Sequence, residues 1–381
     1  MISKHAGLVT MAAAALGVCT AAASDKGLYG DAPDATHAWA VHDLNRPYPK
    51  MVATEQGKAP GDAVVLFDGS QASVDANWCD KDGKPTKWTV KDGVFVCTPK
   101  SGPACTKRSF GDAQFHVEWK TPVADAEKNG QLAGNSGVFP MGVYEIQILN
   151  SYDPDPAAQV KRNYPDGLAG SVYGQNPPLV NACRKPGEWQ SYDIVFHQPV
   201  WKDGRQVHPG TISVFLNGVL VQDNWELEGP TGHKKRNHLA EHATSLPWKL
   251  QDHNDPVQFR NIWIRELPPR TANTTHGGPY VVAADVKALR DKVAAELFAQ
   301  VNVSRASKDD VRLALETLAY STDAKYVAAA KDVCAAWKRN ASLRPESEKK
   351  QTAEDIKEIA RWFDVLKRCN VLDLAGFPLA K

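Results

Sequence analysis

The stretch Asn135–Tyr152, NSGVFPMGVYEIQILNSY, decides how the chain is read. Asn135-Ser136-Gly137 is a turn former, and Val143–Leu149 is written in strict alternation. A period of two puts Val143, Glu145, Gln147 and Leu149 on one face of a strand and Tyr144, Ile146 and Ile148 on the other. The second face is that of a sheet core. The first carries a carboxylate and an amide two residues apart, flanked by aliphatics. The bland reading is an ordinary solvated face; the sharper one is the floor of a polar cleft on a β-sandwich.

Outward from this stretch, residues 63–268 read as short strands separated by Gly, Pro, Asn and Asp turns. Ala113–Lys120 sets Phe115, Val117 and Trp119 against Gln114, His116, Glu118 and Lys120. Lys91-Asp92-Gly93 ahead of Val94–Cys97 signals a hairpin, and Asn217-Gly218 between Thr211–Leu216 and Val219–Gln222 is the strongest such signal. Roughly ten short strands over about 200 residues suit one antiparallel sandwich.

The flanks have a different texture. Met1–Ala23 has the form of a secretory signal, with Lys4 and His5, the apolar run Leu8–Val18 and the small residues Ala21-Ala22-Ala23. A periplasmic or secreted protein is expected, cleaved near Ser24, and the apolar run is too short to span a bilayer. Val18 disfavours a lipidated Cys19. Residues 24–62 lack periodicity and are expected as an extended segment lying on the sandwich. Residues 269–284, opening PRTANTTHGGP, read as a linker, and 285–381 as a small all-α domain of four helices. Its stripes are Val286, Leu289, Val293 and Leu297; Val327, Ala330, Val333, Cys334 and Trp337; and Ile356, Ile359, Phe363 and Leu366. Ser307–Asp310 resembles a capping box.

Of the seven cysteines, Cys19 falls in the signal. The rest could form disulfides in an oxidising compartment, Cys97 with Cys105 across a hairpin and Cys334 with Cys369 between helices. A net charge of +1 and the lack of a basic stripe interleaved with aromatics argue against nucleic acid or anionic membrane as partner. Eleven tryptophans are many; their default role is core packing, with flat platforms for sugars as the alternative.

Several segments resemble the 3-keto-disaccharide hydrolase family. They are LFDGS (Leu66–Ser70), FGDAQFHVEW (Phe110–Trp119), the opening stretch, GSVYGQNPPLVNA (Gly170–Ala182), KPGEWQSYDIVFH (Lys185–His197), FLNGVLVQ (Phe215–Gln222) and LQDHNDPVQFRNIWIREL (Leu250–Leu267). The chain has Val143, Asn150 and Asn254 where the family tends to have Arg, Asp and Gly. The resemblance implies a mainly β fold, a concanavalin A-like jelly-roll β-sandwich, and cleavage of glycosides already oxidised to a ketone at C3. It implies a carbohydrate substrate; an oxidoreductase that supplies the ketone is a candidate partner, for the helical tail to dock.

Ordinary glycoside hydrolysis needs two carboxyl groups about the scissile bond, and the strand offers Glu145 alone, with Gln147 where a second acid would stand. A 3-keto sugar needs less. Its ketone acidifies the C2 proton, so one base, one proton donor and a cation or amide near the enolate oxygen suffice. Glu145 is the expected base, His253 the alternative base or acid, and Arg260 the enolate-binding fork. Asp252 would orient His253 or bind hydroxyls, with Gln251 beside it. Asn135, Gln147 and Tyr173 are hydroxyl-binding candidates and Trp189 a sugar platform or core. A non-catalytic carbohydrate-binding module and an ordinary two-carboxylate glycan hydrolase are the rival readings. His238-Leu-Ala-Glu241-His242 matches the inverted zinc-peptidase pattern, but in a short segment of a β domain it reads as coincidence. No metal or cofactor is expected; a structural calcium ion suits the fold class, but no spacing demands one.

Overall fold

The computed structural model describes residues 30–123, 130–153, 155, 163–270, 283–368, 374 and 376–379. The chain forms two units, one of Pro49–Ala283, the other of the residues up to Tyr48 together with Ala284–Lys381.

The first unit is a sandwich of two antiparallel sheets. The larger sheet runs β13 (Val219–Glu226), β12 (Thr211–Leu216), β9 (Gln190–His197), β6 (Ala113–Lys120), β15 (Gln258–Glu266), β4 (Val94–Val96) and β3 (Thr89–Lys91), with β1 (Val64–Phe67) also paired to β15. The smaller runs β2 (Trp78–Cys79), β5 (Ala104–Phe110), β14 (Leu246–Leu250), β7 (Ser136–Phe139) and β8 (Ile146–Ile148). The hairpin β10 (Val200–Lys202) and β11 (Arg205–His208) stands apart, and α1 (Gln71–Asn77) follows β1. Asn217 and Gly218 join β12 to β13 with φ of 54° and 80°, two left-handed residues in succession, as a tight hairpin of right-handed twist demands.

Alternation places one face of each sheet inside. Phe115 and Phe196 of the larger sheet meet Trp248 of β14 at ring distances of 5.0 and 5.7 Å, and Tyr144 meets Phe196 at 5.7 Å. Tyr144, Ile146 and Ile148 are wholly buried in this core. The expected strand Val143–Leu149 is shorter than its pattern. Pro140–Gly142 forms a 3-10 turn with Met141 at φ 54°, so regular pairing begins only at Ile146.

In the second unit, α2 (Ala283–Phe298), α3 (Lys308–Tyr320), α4 (Ala324–Ser342) and α5 (Lys349–Arg368) enclose a second core around Trp337, Leu315 and Tyr320. Ser307 and Asp310 form the capping box at the start of α3, a device worth about 1 kcal/mol. The stripe of α5 holds at Ile359, Phe363 and Leu366 but not at its first residue. Ile356 is exposed, and Asp355 is buried beside it because Arg344 binds its carboxylate at 2.9 Å and Lys308 lies at 3.4 Å.

One further expectation holds in part and one fails. Residues 49–62 belong with the sandwich, where Arg265 donates to Asp62 at 2.8 Å, but residues 30–48 belong with the helical unit: Asp43 is buried against the Tyr320 hydroxyl, and Asn45 donates to Glu316 at 2.6 Å. Cys97 and Cys105 do not face each other across a hairpin. Cys97 follows β4 and donates its N–H to Val257, whereas Cys105 lies in β5 of the other sheet, and both are free thiols. The residue opposite Cys105 is Cys79. The signal-like segment, most of the linker and Cys369 lie outside the described residues. Among the described residues no helix is long and apolar enough to cross a membrane.

Candidate active site

The smaller sheet turns its second face away from the core, and the polar residues of the Asn135–Tyr152 stretch stand there. Gly137 of β7 is opposite Gln147 of β8, and Phe139 is opposite Lys249 of β14. On the far side of β8 the segment 170–173 supplies backbone partners: Gln147 N–H donates to Ser171 O at 3.1 Å, and Tyr173 N–H to Glu145 O at 3.0 Å. Thr231 closes the arrangement by accepting the Glu145 N–H at 2.9 Å. The Glu145 main chain is therefore held on both sides. Its carboxyl leans over Gly137, where an added Cβ would come within 2.6 Å of Oε1.

Glu145 is only 4% exposed. Burial pushes its pKa up to about 8, with Lys249 pulling the other way. Lys249 is itself depressed by desolvation, and its Nζ sits 4.0 Å over the Phe139 ring. At neutral pH the protonated form of Glu145 predominates, so the group can give a proton and, once it has lost it, is a stronger base than an ordinary carboxylate.

Above Glu145 opens a cavity of about 380 Å³, lined by Asn135, Gln147, Tyr173, Gln251 and His253 along with Gln131, Tyr164, Thr231 and His233. Gln131 ties the floor together: its Oε1 accepts from Gln147 Nε2 at 3.1 Å, and its main-chain oxygen from Asn135 Nδ2 at 2.8 Å. The amide oxygens of Gln147 and Gln251 are buried and meet no protein donor. Both belong to side chains that line the cavity, the arrangement a hydroxyl-rich ligand would satisfy. Glu145 is the sole carboxylate among the described lining residues of this cavity.

A family profile described as the 3-keto-alpha-glucoside-1,2-lyase-like domain matches residues 62–265. The chain belongs to this family. It is 25% identical to a 3-keto-disaccharide hydrolase from Bacteroides thetaiotaomicron over 54% of its own length and 78% of the relative's. It also resembles a solved structure from Parabacteroides distasonis described as a "putative glycosyl hydrolase", with 39% identity, a TM-score of 0.52, and coverage of 58% of this chain and 93% of that one.

Not every residue expected in the site of this 1,2-lyase-like domain is there. Arg260 pairs with Glu118 at 2.6 Å and its guanidinium lies 4.1 Å over Trp189. Glu118 is on the outward side of β6, because Phe115, Val117 and Trp119 face the core; Arg260 and Trp189 therefore decorate the opposite face of the sandwich from Glu145. Asp252 is a loop anchor. Its carboxylate accepts the N–H of Gly102 and of Asn254, each at 2.9 Å, and Asn254 takes φ 68°, a backbone that suits the Gly more usual there in the family. His253 lines the mouth of the cavity and is exposed. Arg260→Ala is expected to leave kcat/KM within about twofold and stability within roughly 1 kcal/mol, as for other exposed pairs; a hundredfold loss in kcat would return Arg260 to the chemistry.

Gln131, Thr231, His233, Tyr164 and Lys249 join the site without being expected there from sequence. Lys249 had a signal: in Leu246–Leu250, LPWKL, it stands between two core residues and must point to the Glu145 face. Thr231 and His233 lie in an aperiodic loop, where only tertiary structure brings them near. The segment holding His238 and His242 has no helix, and the His242 ring is held by the Tyr144 hydroxyl at 2.8 Å and Ala243 O at 2.8 Å. Among the described residues no group of three His, Cys, Asp or Glu is placed to hold a metal ion.

Proposed function

We propose that the sandwich cleaves 3-keto-glycosides by proton abstraction and elimination. Ionised Glu145 removes the C2 proton, the electron pair passes to the C3 ketone as an enolate, and the C1–O bond breaks as that enolate collapses. The aglycone oxygen takes a proton from His253 or from water, and addition of water across the resulting C1–C2 double bond yields the free 3-keto sugar. The family's description as a 1,2-lyase and the relative's name, 3-keto-disaccharide hydrolase, are consistent with this sequence of steps.

The observation that carries the proposal is that Glu145 is the one carboxyl among the described residues lining the cavity. A retaining or inverting mechanism needs a second one some 5–10 Å away, and the lining of this cavity supplies amides and tyrosines instead. A carboxyl with a pKa near 8 is matched to a carbon acid activated by one ketone, since its ionised form holds a proton strongly while still being present near neutral pH. The position given to Arg260 by sequence has no occupant from β15. Asn135 and Gln147 are the side-chain amide donors on the floor of the cavity, and Lys249 tunes Glu145 from the neighbouring strand. A secreted or periplasmic setting and a partner oxidoreductase belong to the same proposal.

The test compares a 3-keto-glucoside with its unoxidised parent. Sugar release is expected from the ketone alone, with a primary isotope effect on kcat/KM when C2 carries deuterium. Release from the parent at an equal rate, or a unit isotope effect under conditions where chemistry limits the rate, would sink the proposal.

A further inference from the structure

The cavity above Glu145 does not end at its tyrosine wall. A second compartment of about 360 Å³ adjoins it, and the two share Tyr164, Tyr173, Gly232 and His233. Their chemistry differs sharply. The first is lined by amides and one largely protonated carboxyl. Among its described lining residues the second adds Lys234, Lys235 and Arg236 against one carboxylate, Asp166.

The three cations are exposed, and none forms an ion pair among the described residues. The loop that carries them is nonetheless fixed. Thr231 N–H donates to Val143 O at 3.1 Å while its hydroxyl accepts the Glu145 N–H, so the loop is fastened to the backbone of Glu145 itself. Asn237 Nδ2 closes the far end on Pro230 O at 3.1 Å, and Gly229 and Gly232 are so close to Asn237 that any Cβ would collide with it. Lys234 takes φ 54°, an uncommon conformation for a lysine. The partition is braced as well, with Tyr164 OH 2.6 Å from Tyr173 OH, which is 3.0 Å from His233 Nδ1.

We propose that the second compartment is the subsite for the leaving group, and that it selects aglycones bearing an anion, a carboxylate first among them. The inference rests on the assignment of the first cavity to the sugar undergoing cleavage. The sugar ring lies over the amide floor with its C1 substituent directed past Tyr164 and Tyr173, and an acid on that substituent meets Lys234, Lys235 and Arg236. Their mutual repulsion, eased by Asp166, makes the bare compartment electropositive and favours an arriving anion. Solvent screens such exposed charges, so the selectivity is moderate and dependent on salt.

Binding of two unoxidised ligands, 4-carboxyphenyl α-glucoside and phenyl α-glucoside, tests this without turnover. Calorimetry on the full chain at 50 mM and 500 mM salt is expected to show roughly tenfold tighter binding of the carboxylate at low salt, with most of that preference lost at high salt. A K234A/K235A/R236A triple variant, whose exposed positions leave the fold intact, should bind the two ligands alike. Affinities within twofold at low salt, a preference that survives both salt and the triple variant, or no measurable binding of the carboxylate would each overturn the assignment. The outcome is separable from the proposed reaction, since loss of anion preference with continued cleavage of neutral 3-keto-glucosides removes only this subsite.

Discussion

Glu145→Gln is expected to raise the melting temperature of the sandwich by roughly 10–15 °C at pH 8.5 while lowering turnover by roughly 10²–10⁴-fold. The sign follows from the raised pKa. Glu145 has an ordinary value of 4.5 in the unfolded chain and about 8 when folded, burial being the main cause and Lys249 the opposing one. The folded state therefore holds a proton that the unfolded state releases, and stability falls as pH rises from about 4.5 to about 8, then levels off. At pH 7 the penalty is on the order of 3 kcal/mol. Glutamine matches the protonated carboxyl in shape and cannot ionise, so the variant escapes the penalty wherever wild type suffers it. Melting curves at pH 4.5, 7 and 8.5 should diverge progressively, with near coincidence at the lowest. A difference independent of pH would mean that Glu145 does not titrate at a raised value. Stability gained together with activity lost is the mark of a residue kept for chemistry at the expense of the fold.

The tension was half visible in the sequence. Alternation in VYEIQIL placed Tyr144, Ile146 and Ile148 in the core and set Glu145 and Gln147 on the other face, as the structure has them. Local pattern suffices there because a strand has only two faces. It fails where a second layer of contacts decides. Arg260 sits in a segment that resembles the family, yet its side chain follows the parity of β15, pairing with Glu118 and stacking on Trp189 on the far face of the sandwich. Which of two outward faces a residue occupies depends on which sheet owns its strand, and strand order is a nonlocal property. The loop from Pro230 to Asn237 was illegible for the same reason. Nothing in PTGHKKRN states that Thr231 will hold the Glu145 main chain, whereas the hairpin at Asn217-Gly218 is read directly from backbone preference. The buried Asp355 shows the converse error, a charged residue drawn inside by Arg344 and Lys308 while the neighbouring isoleucine is left in water.

Gly137→Ala should cost about a hundredfold in kcat with a smaller change in KM, although the substitution adds one methyl group to a position outside the lining of the cavity. Gly137 lies in β7 opposite Gln147, under the Glu145 carboxyl. A Cβ there would stand 2.6 Å from Glu145 Oε1, 3.1 Å from its Cγ and 3.0 Å from the Phe139 ring. The ring belongs to β7 and the Glu145 main chain is held by Thr231 and Tyr173, so relief comes mainly from turning the carboxyl out toward the cavity mouth. The fold loses about 1–3 kcal/mol, as for other cases of overpacking. The chemistry loses more, because a base displaced by an ångström no longer meets the C2 proton in line, and misplacement on that scale is worth about 10²-fold. A second readout separates this from general damage. A carboxyl moved toward water regains solvation, so its pKa falls back from about 8 toward the ordinary range, and the rise of kcat/KM with pH should shift to lower pH in the variant. Lower activity with the wild-type pH profile would place the damage elsewhere in the sheet, and wild-type kcat with an unmoved profile would show that the carboxyl does not rest on Gly137 when the reaction occurs.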